Sequence, residues 1–274
     1  MSAKILITGA TGTLGRALVP VLQNAGAELR LLSRSEQPND DLEWVRGDVS
    51  TGEGLDAAVR DVRTVVHCAG SQQGDADKAR HLVGAATAAG VEHIVHVSVV
   101  GADRIPVVSR VDRSMFGYFA AKREAEDVIM SSPIPWTMLR PTQFHSFVVD
   151  QLDQLSKVPL LLPVFKGVSF QPVDVDDVAQ RLTELALGDP AGMAPPLAGP
   201  RIYPFDQLAR DYLAATGKRR VIVNMPVPGQ SVAAFRAGAN LAPDHATGTG
   251  AWEAYLARRF PGRLTMTPRA AEQA

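Results

Sequence analysis

Over the first 140 residues, short runs of β-branched and apolar residues alternate with stretches in which apolar residues recur every three or four positions. The runs at 4–8, 28–33, 64–68, 93–99 and 136–140 predict strands. The stretches at 14–25, 75–89 and 118–130 predict amphipathic helices. Strands that alternate with helices form right-handed βαβ units and a parallel sheet. The strand runs are apolar at both positions of the alternation, which requires helices on both faces of the sheet. The pattern therefore predicts a doubly wound α/β fold.

After Pro141 the rhythm changes. Residues 150–172 are rich in Leu, Pro and Phe without clean periodicity. A helix is predicted to open near Pro172-Val173-Asp174-Val175-Asp176 and to run to about Leu187, with Asp174 or Asp176 as N-cap. Gly188-Asp189-Pro190 ends it, and 189–200 read as a Pro/Gly-rich loop. Further helices are expected at 205–216 and 250–259, around a strand at 220–225, and the tail after Pro261 lacks pattern. The expected organisation is a sheet domain over 1–145 and a smaller mixed α/β lobe over 146–274, which carries the substrate and packs against the sheet edge.

Composition narrows the field. The chain has 274 residues, 46% hydrophobic and 21% charged, an ordinary globular balance. With 28 Lys+Arg against 29 Asp+Glu the net charge is -1, which argues against a nucleic-acid or anionic-membrane partner held by bulk charge. A single cysteine, Cys68, excludes an intramolecular disulfide and a cysteine-only metal site. Residues 1–4 lead straight into the first strand without a signal-peptide pattern. The most apolar run, 158–165, holds two prolines and falls far short of the ~18 residues of a membrane span. These features predict a cytoplasmic protein with a small-molecule substrate and no metal, and they leave monomer and homodimer both open.

The chemistry begins at Thr8-Gly9-Ala10-Thr11-Gly12-Thr13-Leu14-Gly15, between the first strand and the first helix. Gly9 permits a tight turn, Gly12 lets the backbone approach a pyrophosphate, and Gly15 lets helix and strand pack closely. The helix N-terminus adds free N–H groups and the positive end of its dipole. This strand–turn–helix order predicts dinucleotide binding, with Thr11, Thr13 and Leu14 beside the phosphates. At the end of the second strand, Leu31-Leu32-Ser33-Arg34-Ser35 has no carboxylate for a ribose 2′-hydroxyl. Arg34 can clamp a 2′-phosphate, with a hydroxyl contact from Ser33 or Ser35. NADP(H) is therefore preferred and NAD(H) remains possible, the competing reading being a solvated loop arginine beside Glu36.

With this turn in place, the chain resembles the atypical branch of the short-chain dehydrogenase/reductase superfamily, the NmrA-like NAD(P)H-binding proteins, over residues 4 to about 255. Further motifs carry the resemblance: Gly47-Asp48-Val49, Val65-Val66-His67-Cys68-Ala69-Gly70, His96-Val97-Ser98-Val99-Val100-Gly101, Tyr118-Phe119-Ala120-Ala121-Lys122 and Leu139-Arg140-Pro141-Thr142-Gln143-Phe144. The resemblance implies a Rossmann-type sheet. It also implies that Asp48 and Val49 flank the adenine, that Ala69 and Gly70 line the central ribose, and that Pro141, Thr142 and Phe144 sit beside the nicotinamide.

Tyr118 and Lys122 lie four apart on a predicted helix and so share a face. An ammonium near the phenol favours the phenolate and lowers the tyrosine pKa, which suits a general acid that protonates an alkoxide. Lys122 can also hold the nicotinamide ribose hydroxyls. Ser98 ends the fifth strand, at the carboxyl edge where open α/β sheets bind ligands, and can orient a substrate carbonyl. The family's active members use Ser, Tyr and Lys in these parts. The Asn that many compact members carry on the preceding helix has no counterpart in 75–90.

The six histidines (67, 81, 93, 96, 145, 245) show no metal-ligand spacing and read as satisfied structural groups, with His145 a candidate for the substrate cavity. Asp174, Asp176 and Asp177 read as caps, Cys68 as packed, and Trp252 and Tyr255 as packing residues. The leading expectation is an NADPH-dependent oxidoreductase acting on a small carbonyl, enone or quinone-like substrate. The alternatives are a non-catalytic NADP(H)-binding redox sensor and an epimerase or isomerase that recycles its cofactor.

Overall fold

The structure is a computed structural model that describes residues 4–35, 41–71 and 73–261. Glu36 and the tail after Pro261 lie outside the described residues. In chain order the elements are β1 (Ile5–Thr8), α1 (Thr13–Asn24), β2 (Leu29–Ser33), β3 (Glu43–Arg46), α2 (Leu55–Ala58), β4 (Thr64–His67), α3 (Asp75–Ala88), β5 (His93–Val97), α4 (Arg110–Met130) and β6 (Trp136–Leu139). There follow α5 (His145–Leu155), β7 (Leu161–Phe165), β8 (Ser169–Phe170), α6 (Val175–Leu187), β9 (Gly192–Met193), β10 (Tyr203–Pro204), α7 (Phe205–Thr216), β11 (Val221–Met225), α8 (Gln230–Arg236) and α9 (Trp252–Arg259).

Seven strands form one all-parallel sheet in the order β3-β2-β1-β4-β5-β6-β9. The order reverses between β1 and β4, which opens a crevice at the carboxyl ends of the strands. Both faces are covered, as the two-sided apolar pattern requires. Ile5 and Ile7 pack with Leu18 and Leu22 of α1 and Leu182 of α6, while Leu6 packs with Leu82 of α3 and Ile129 of α4. The doubly wound Rossmann-type fold expected from the pattern is the fold observed.

The remaining elements build a third core rich in aromatic residues, with Phe116, Phe119, Phe170, Phe205, Phe235, Tyr212 and Trp252. Two short sheets stiffen it, β7 parallel to β11 and β8 antiparallel to β10. The chain does not stay in this region after residue 146. Helix α6 returns to lie on α1, and β9 adds a strand to the main sheet beside β6.

Three departures from the pattern have physical causes. Strand β3 was not predicted because it lies at the sheet edge, where Glu43 and Arg46 are exposed and no apolar alternation develops. Lys4 and Arg30 hold Glu43 at 2.8 and 2.7 Å. Helix α4 starts at Arg110, not near Tyr118, because a capping box of Ser109 and Asp112 nucleates it over an exposed first turn that shows no core stripe. Helix α5 begins at His145, inside a segment whose Pro- and Phe-rich continuation hides its period. The N-cap of α6 is Asp174, which accepts the Asp176 amide at 3.2 Å.

One ion pair sets the position of α4. Glu126 is fully buried on α4 and accepts both Nε and Nη2 of Arg140, just past β6, at 2.7 and 2.6 Å. Asp103 takes Nη1 at 2.8 Å. Removing one partner leaves an uncompensated buried charge, a loss of about 3–5 kcal/mol. In urea denaturation Arg140→Leu should lose stability of that order, and Arg140→Leu combined with Glu126→Leu should recover most of it. A loss below about 1 kcal/mol for the single variant would show that the pair does not hold the helix.

Candidate active site

The glycine turn is built by backbone contact. Gly9 adopts φ +71°, and a Cβ there would lie 2.8 Å from the amide nitrogen of Ala69. A Cβ on Gly15 would lie 2.3 Å from the Gly9 carbonyl oxygen and 2.5 Å from Cα of Ala10. Neither position admits a side chain. Gly12 donates its N–H to the Gly9 carbonyl at 3.0 Å and serves as N-cap of α1. No side chain caps α1 and its first turn carries no acidic residue, so its leading amides face the crevice. An uncapped N-terminus over glycine backbone fits a pyrophosphate.

Two clefts meet at this turn, and Gly9, Gly12, Cys68, Gly70 and Ser71 line both. The first, of about 550 Å³, is lined by Thr11, Ser33, Arg34, Asp48, Val49 and Ala69. Arg34 is exposed at its wall, and buried Ser33 accepts the Ser35 amide at 3.3 Å. One oxygen of Asp48 accepts the Ser50 amide at 2.8 Å. The second cleft, of about 390 Å³, is lined by Thr13, Leu14, Gly15, Ser98, Tyr118, Lys122, Pro141, Thr142 and Phe144. Apart from Ser35, the alternative to Ser33, every residue singled out from the sequence for cofactor or catalysis thus falls on one of two adjoining walls.

Lys122 is buried, and its ammonium donates to the Val97 carbonyl at 3.2 Å and pairs with Asp75 at 3.3 Å. It lies 5.7 Å from the centre of the Tyr118 ring. Burial opposes the charge, yet Tyr118 and Asp75 outweigh it and hold the Lys122 pKa above the usual lysine value. Burial likewise opposes the charge on Asp75, but Lys122, Lys78 and the Ser71 amide hold its pKa below the usual carboxylate range. Lys78 completes the cluster at 2.9 Å from Asp75. Two ammonium groups share one carboxylate, so the cluster itself carries one positive charge, with Lys78 on the wall of the first cleft and Lys122 on that of the second.

This cluster gives Gly70 a role beyond lining the cleft. A Cβ on Gly70 would lie 2.6 Å from the Lys122 ammonium and 3.2 Å from Asp75. Asp75 was missed from the sequence, where an acidic residue at a helix start reads as a complement to the dipole. The Ser98 hydroxyl oxygen is buried without a hydrogen-bond partner among the described residues. The Thr142 hydroxyl is committed to the Gln171 carbonyl at 2.6 Å.

The histidines split. His93 bonds the Thr137 hydroxyl at 2.8 Å, and His67 bonds that of Thr8 at 2.7 Å and stacks on His96 at 5.2 Å. Neither ring nitrogen of His96 or His145 makes a hydrogen bond among the described residues, His145 Nδ1 approaching Asp174 only to 3.9 Å, so the satisfied role expected of the histidines fails for these two. His145 lines neither cleft. Its ring turns from the start of α5 onto α9, stacked on Tyr255 at 5.0 Å with Trp252 behind it. Burial pushes the Cys68 thiol up to about 12, against the opposing charge of Lys122, as suits a packed cysteine. Asp174 and Asp177 act as caps and loop anchors, Asp177 accepting the amides of Thr249 and Gly250.

The profile of an NAD(P)H-binding family matches residues 9–186, well over half of the chain. The chain belongs to this NAD(P)H-binding family. The match bears out the resemblance to the atypical short-chain dehydrogenase/reductases. Among curated proteins, the chain is 28% identical over 179 residues to (4-alkanoyl-5-oxo-2,5-dihydrofuran-3-yl)methyl phosphate reductase of Streptomyces griseus, covering 64% of this chain and 60% of that one. It is 28% identical over 245 residues to ceramide reductase of Caulobacter vibrioides, covering 82% of this chain and 74% of that one. Among solved structures, an NADPH-dependent quinone oxidoreductase from Escherichia coli in complex with NADPH superposes with TM-score 0.76 at 19% identity, over 93% of this chain and 99% of that one. That likeness concerns the fold. No helix among the described residues is long and apolar enough to cross a membrane.

The pairing of His67 with the cationic cluster has a pH signature. Burial first, and Lys122 next, lower the His67 pKa from 6.5 to about 3. Below pH 6.5 the unfolded chain takes up a proton that the folded chain refuses. This contribution to stability is complete above about pH 6.5 and is lost progressively as pH falls towards 3. Imidazole NMR titration should find His67 neutral at pH 5, and a midpoint near 6.5 would contradict this account of the cluster.

Proposed function

We propose that this NAD(P)H-binding chain is an NADPH-dependent oxidoreductase that reduces a small carbonyl, enone or quinone-like substrate. The observation that carries the reading is the convergence of Ser98, Tyr118 and Lys122 on a cleft that adjoins the glycine turn. Bound NADPH would supply a hydride equivalent to the substrate carbon and leave as NADP+. The chain's own groups do the rest. Tyr118 gives its phenolic proton to the substrate oxygen, and solvent restores that proton afterwards. Lys122 stabilises the phenolate left behind, and Asp75 keeps Lys122 in place and charged. Ser98, a buried donor without a hydrogen-bond partner among the described residues, orients the substrate oxygen. Gly9, Gly12 and Gly15 with Thr11, Thr13 and Leu14 hold the pyrophosphate, and Asp48, Val49, Ala69 and Gly70 hold the adenosine half. Pro141, Thr142 and Phe144 flank the nicotinamide, while residues 146–274 supply most of the substrate lobe. The names of the two curated reductases support the reaction class.

Purified protein with NADPH should turn over members of a panel of quinones, aldehydes, ketones and enones. Tyr118→Phe should lower that turnover by ~10²–10⁴-fold and leave NADPH affinity unchanged. Equal turnover in the variant would remove Tyr118 from the mechanism, and tight NADPH binding without turnover of any substrate would favour the sensor.

Cofactor choice has its own test. A charge-assisted contact from Arg34 to the 2′-phosphate contributes about 1.5–3 kcal/mol, or roughly 10- to 100-fold in affinity. Arg34→Ala should therefore weaken NADPH by about that factor and leave NADH unchanged. An equal effect on both cofactors would defeat the NADP preference.

A further inference from the structure

Beyond Tyr118 lies a third cavity, of about 450 Å³, within the usual size range of small-molecule sites. It is continuous with the catalytic cleft through Tyr118, Phe119, Gln143 and Phe147, which line both. Its inner wall is aromatic: Phe116, Phe165, Phe170, Phe205 and Phe235. These rings brace one another, Phe170 on Phe205 at 5.0 Å and Phe116 on Phe235 at 5.2 Å. The wall is thus a fixed surface that exposes ring carbon to the cavity. Gln73, Arg113, Ser114, Gln143 and Gln151 line the opposite, polar side, so water finds partners there but not against the rings, and an apolar guest would displace it from the aromatic wall with gain.

The mouth has the same character. Met115 and Phe147 line the cavity and are 42% and 37% exposed, and Val111, one turn before Met115 on the same face of α4, is 65% exposed. Single exposed apolar side chains need no explanation, but two at the edge of an aromatic cavity, with a third one helical turn away, form a path for an apolar molecule. The polar cofactor cleft and the aromatic cavity meet at the phenol that is placed to protonate the substrate.

We infer that the Phe-lined cavity is the substrate chamber and that the substrate is lipophilic: a carbonyl group held at Tyr118 and joined to an extended apolar body that fills the cavity. The inference rests on the oxidoreductase reading for the position of the carbonyl, while occupation of the chamber can be measured without turnover.

The probes are the methyl ketones 2-butanone, 2-heptanone and 2-undecanone, titrated calorimetrically into the NADP+-saturated protein. Each buried methylene should tighten binding by about three- to four-fold until the cavity is full. The control is Gly117→Leu. Gly117 lines the chamber on α4, a Cβ there meets no atom within 4 Å, and leucine favours the helix more than glycine does. The variant should keep NADPH and 2-butanone affinities and lose at least 10-fold for 2-undecanone. Affinity that is flat across the series overturns the chamber, as does a length dependence that Gly117→Leu leaves intact. Length-dependent binding without NADPH oxidation would uphold the chamber and defeat the reductase reading instead.

Discussion

The architecture of the carboxyl edge depends on how closely three pieces of backbone approach at Gly9. The end of β4 passes where a Gly9 side chain would stand, and the start of α1 passes over Gly9 where a Gly15 side chain would stand. Glycine at both positions draws α1 down onto the turn. That fixes the direction in which the first amides of α1 point, and it sets the height of the helix above the sheet, where α6 then finds its seat. A side chain at either position would lift α1 and separate the amides from Ala69 and Gly70. The phosphate site and one face of the core therefore share a single steric condition.

The second organising element is electrostatic. A lone buried ammonium costs several kcal/mol to desolvate. Lys122 retains its charge because Asp75 lies at 3.3 Å and the Val97 carbonyl accepts a hydrogen bond. The pair is not neutral overall, since Lys78 shares the same carboxylate. The excess positive charge lies between cleft walls that are proposed to receive a diphosphate and to leave a phenolate behind, both anionic. The same field, with burial, keeps His67 uncharged behind the cleft, so the cations face ligand instead of a third positive group.

Much of this was legible in the sequence, and what was not legible has a common cause. Strands buried on both faces, such as β1 and β4, announce themselves because every position is buried and apolar β-branched residues fill adjacent positions without alternation. The glycine turn was readable because its steric requirements admit one residue type. The edge strand β3 and the first turns of α4 were not, because solvent-facing segments carry no periodic signal. Asp75 escaped for a different reason. Its partners Lys122 and Gly70 lie on other elements, and nothing local distinguishes a carboxylate that binds a distant lysine from one that complements a helix dipole. His145 shows the limit from the other side: its neighbours in sequence line the cleft, but the first turn of α5 carries its ring to α9. The aromatic chamber was hidden for the same reason as Asp75, since its phenylalanines come from α4, β7, β8, α7 and α8.

Helix α4 joins the two halves of the site. Its buried face carries Lys122 and Glu126 into the sheet domain, and Phe116 and Phe119 into the aromatic core. Tyr118 lies between these groups and faces both the polar cleft and the apolar cavity. The Glu126–Arg140 pair anchors α4 to the end of β6, while Tyr118 also packs against the aromatic core through Phe119, so the phenol is held from both sides. On the proposed reading, Phe165 and Phe205 would shape the fit of a substrate body, while the Glu126–Arg140 pair ties the Lys122 end of α4 to the sheet. Helix α4 thus ties its charged groups to the parallel sheet and its aromatic groups to the smaller lobe.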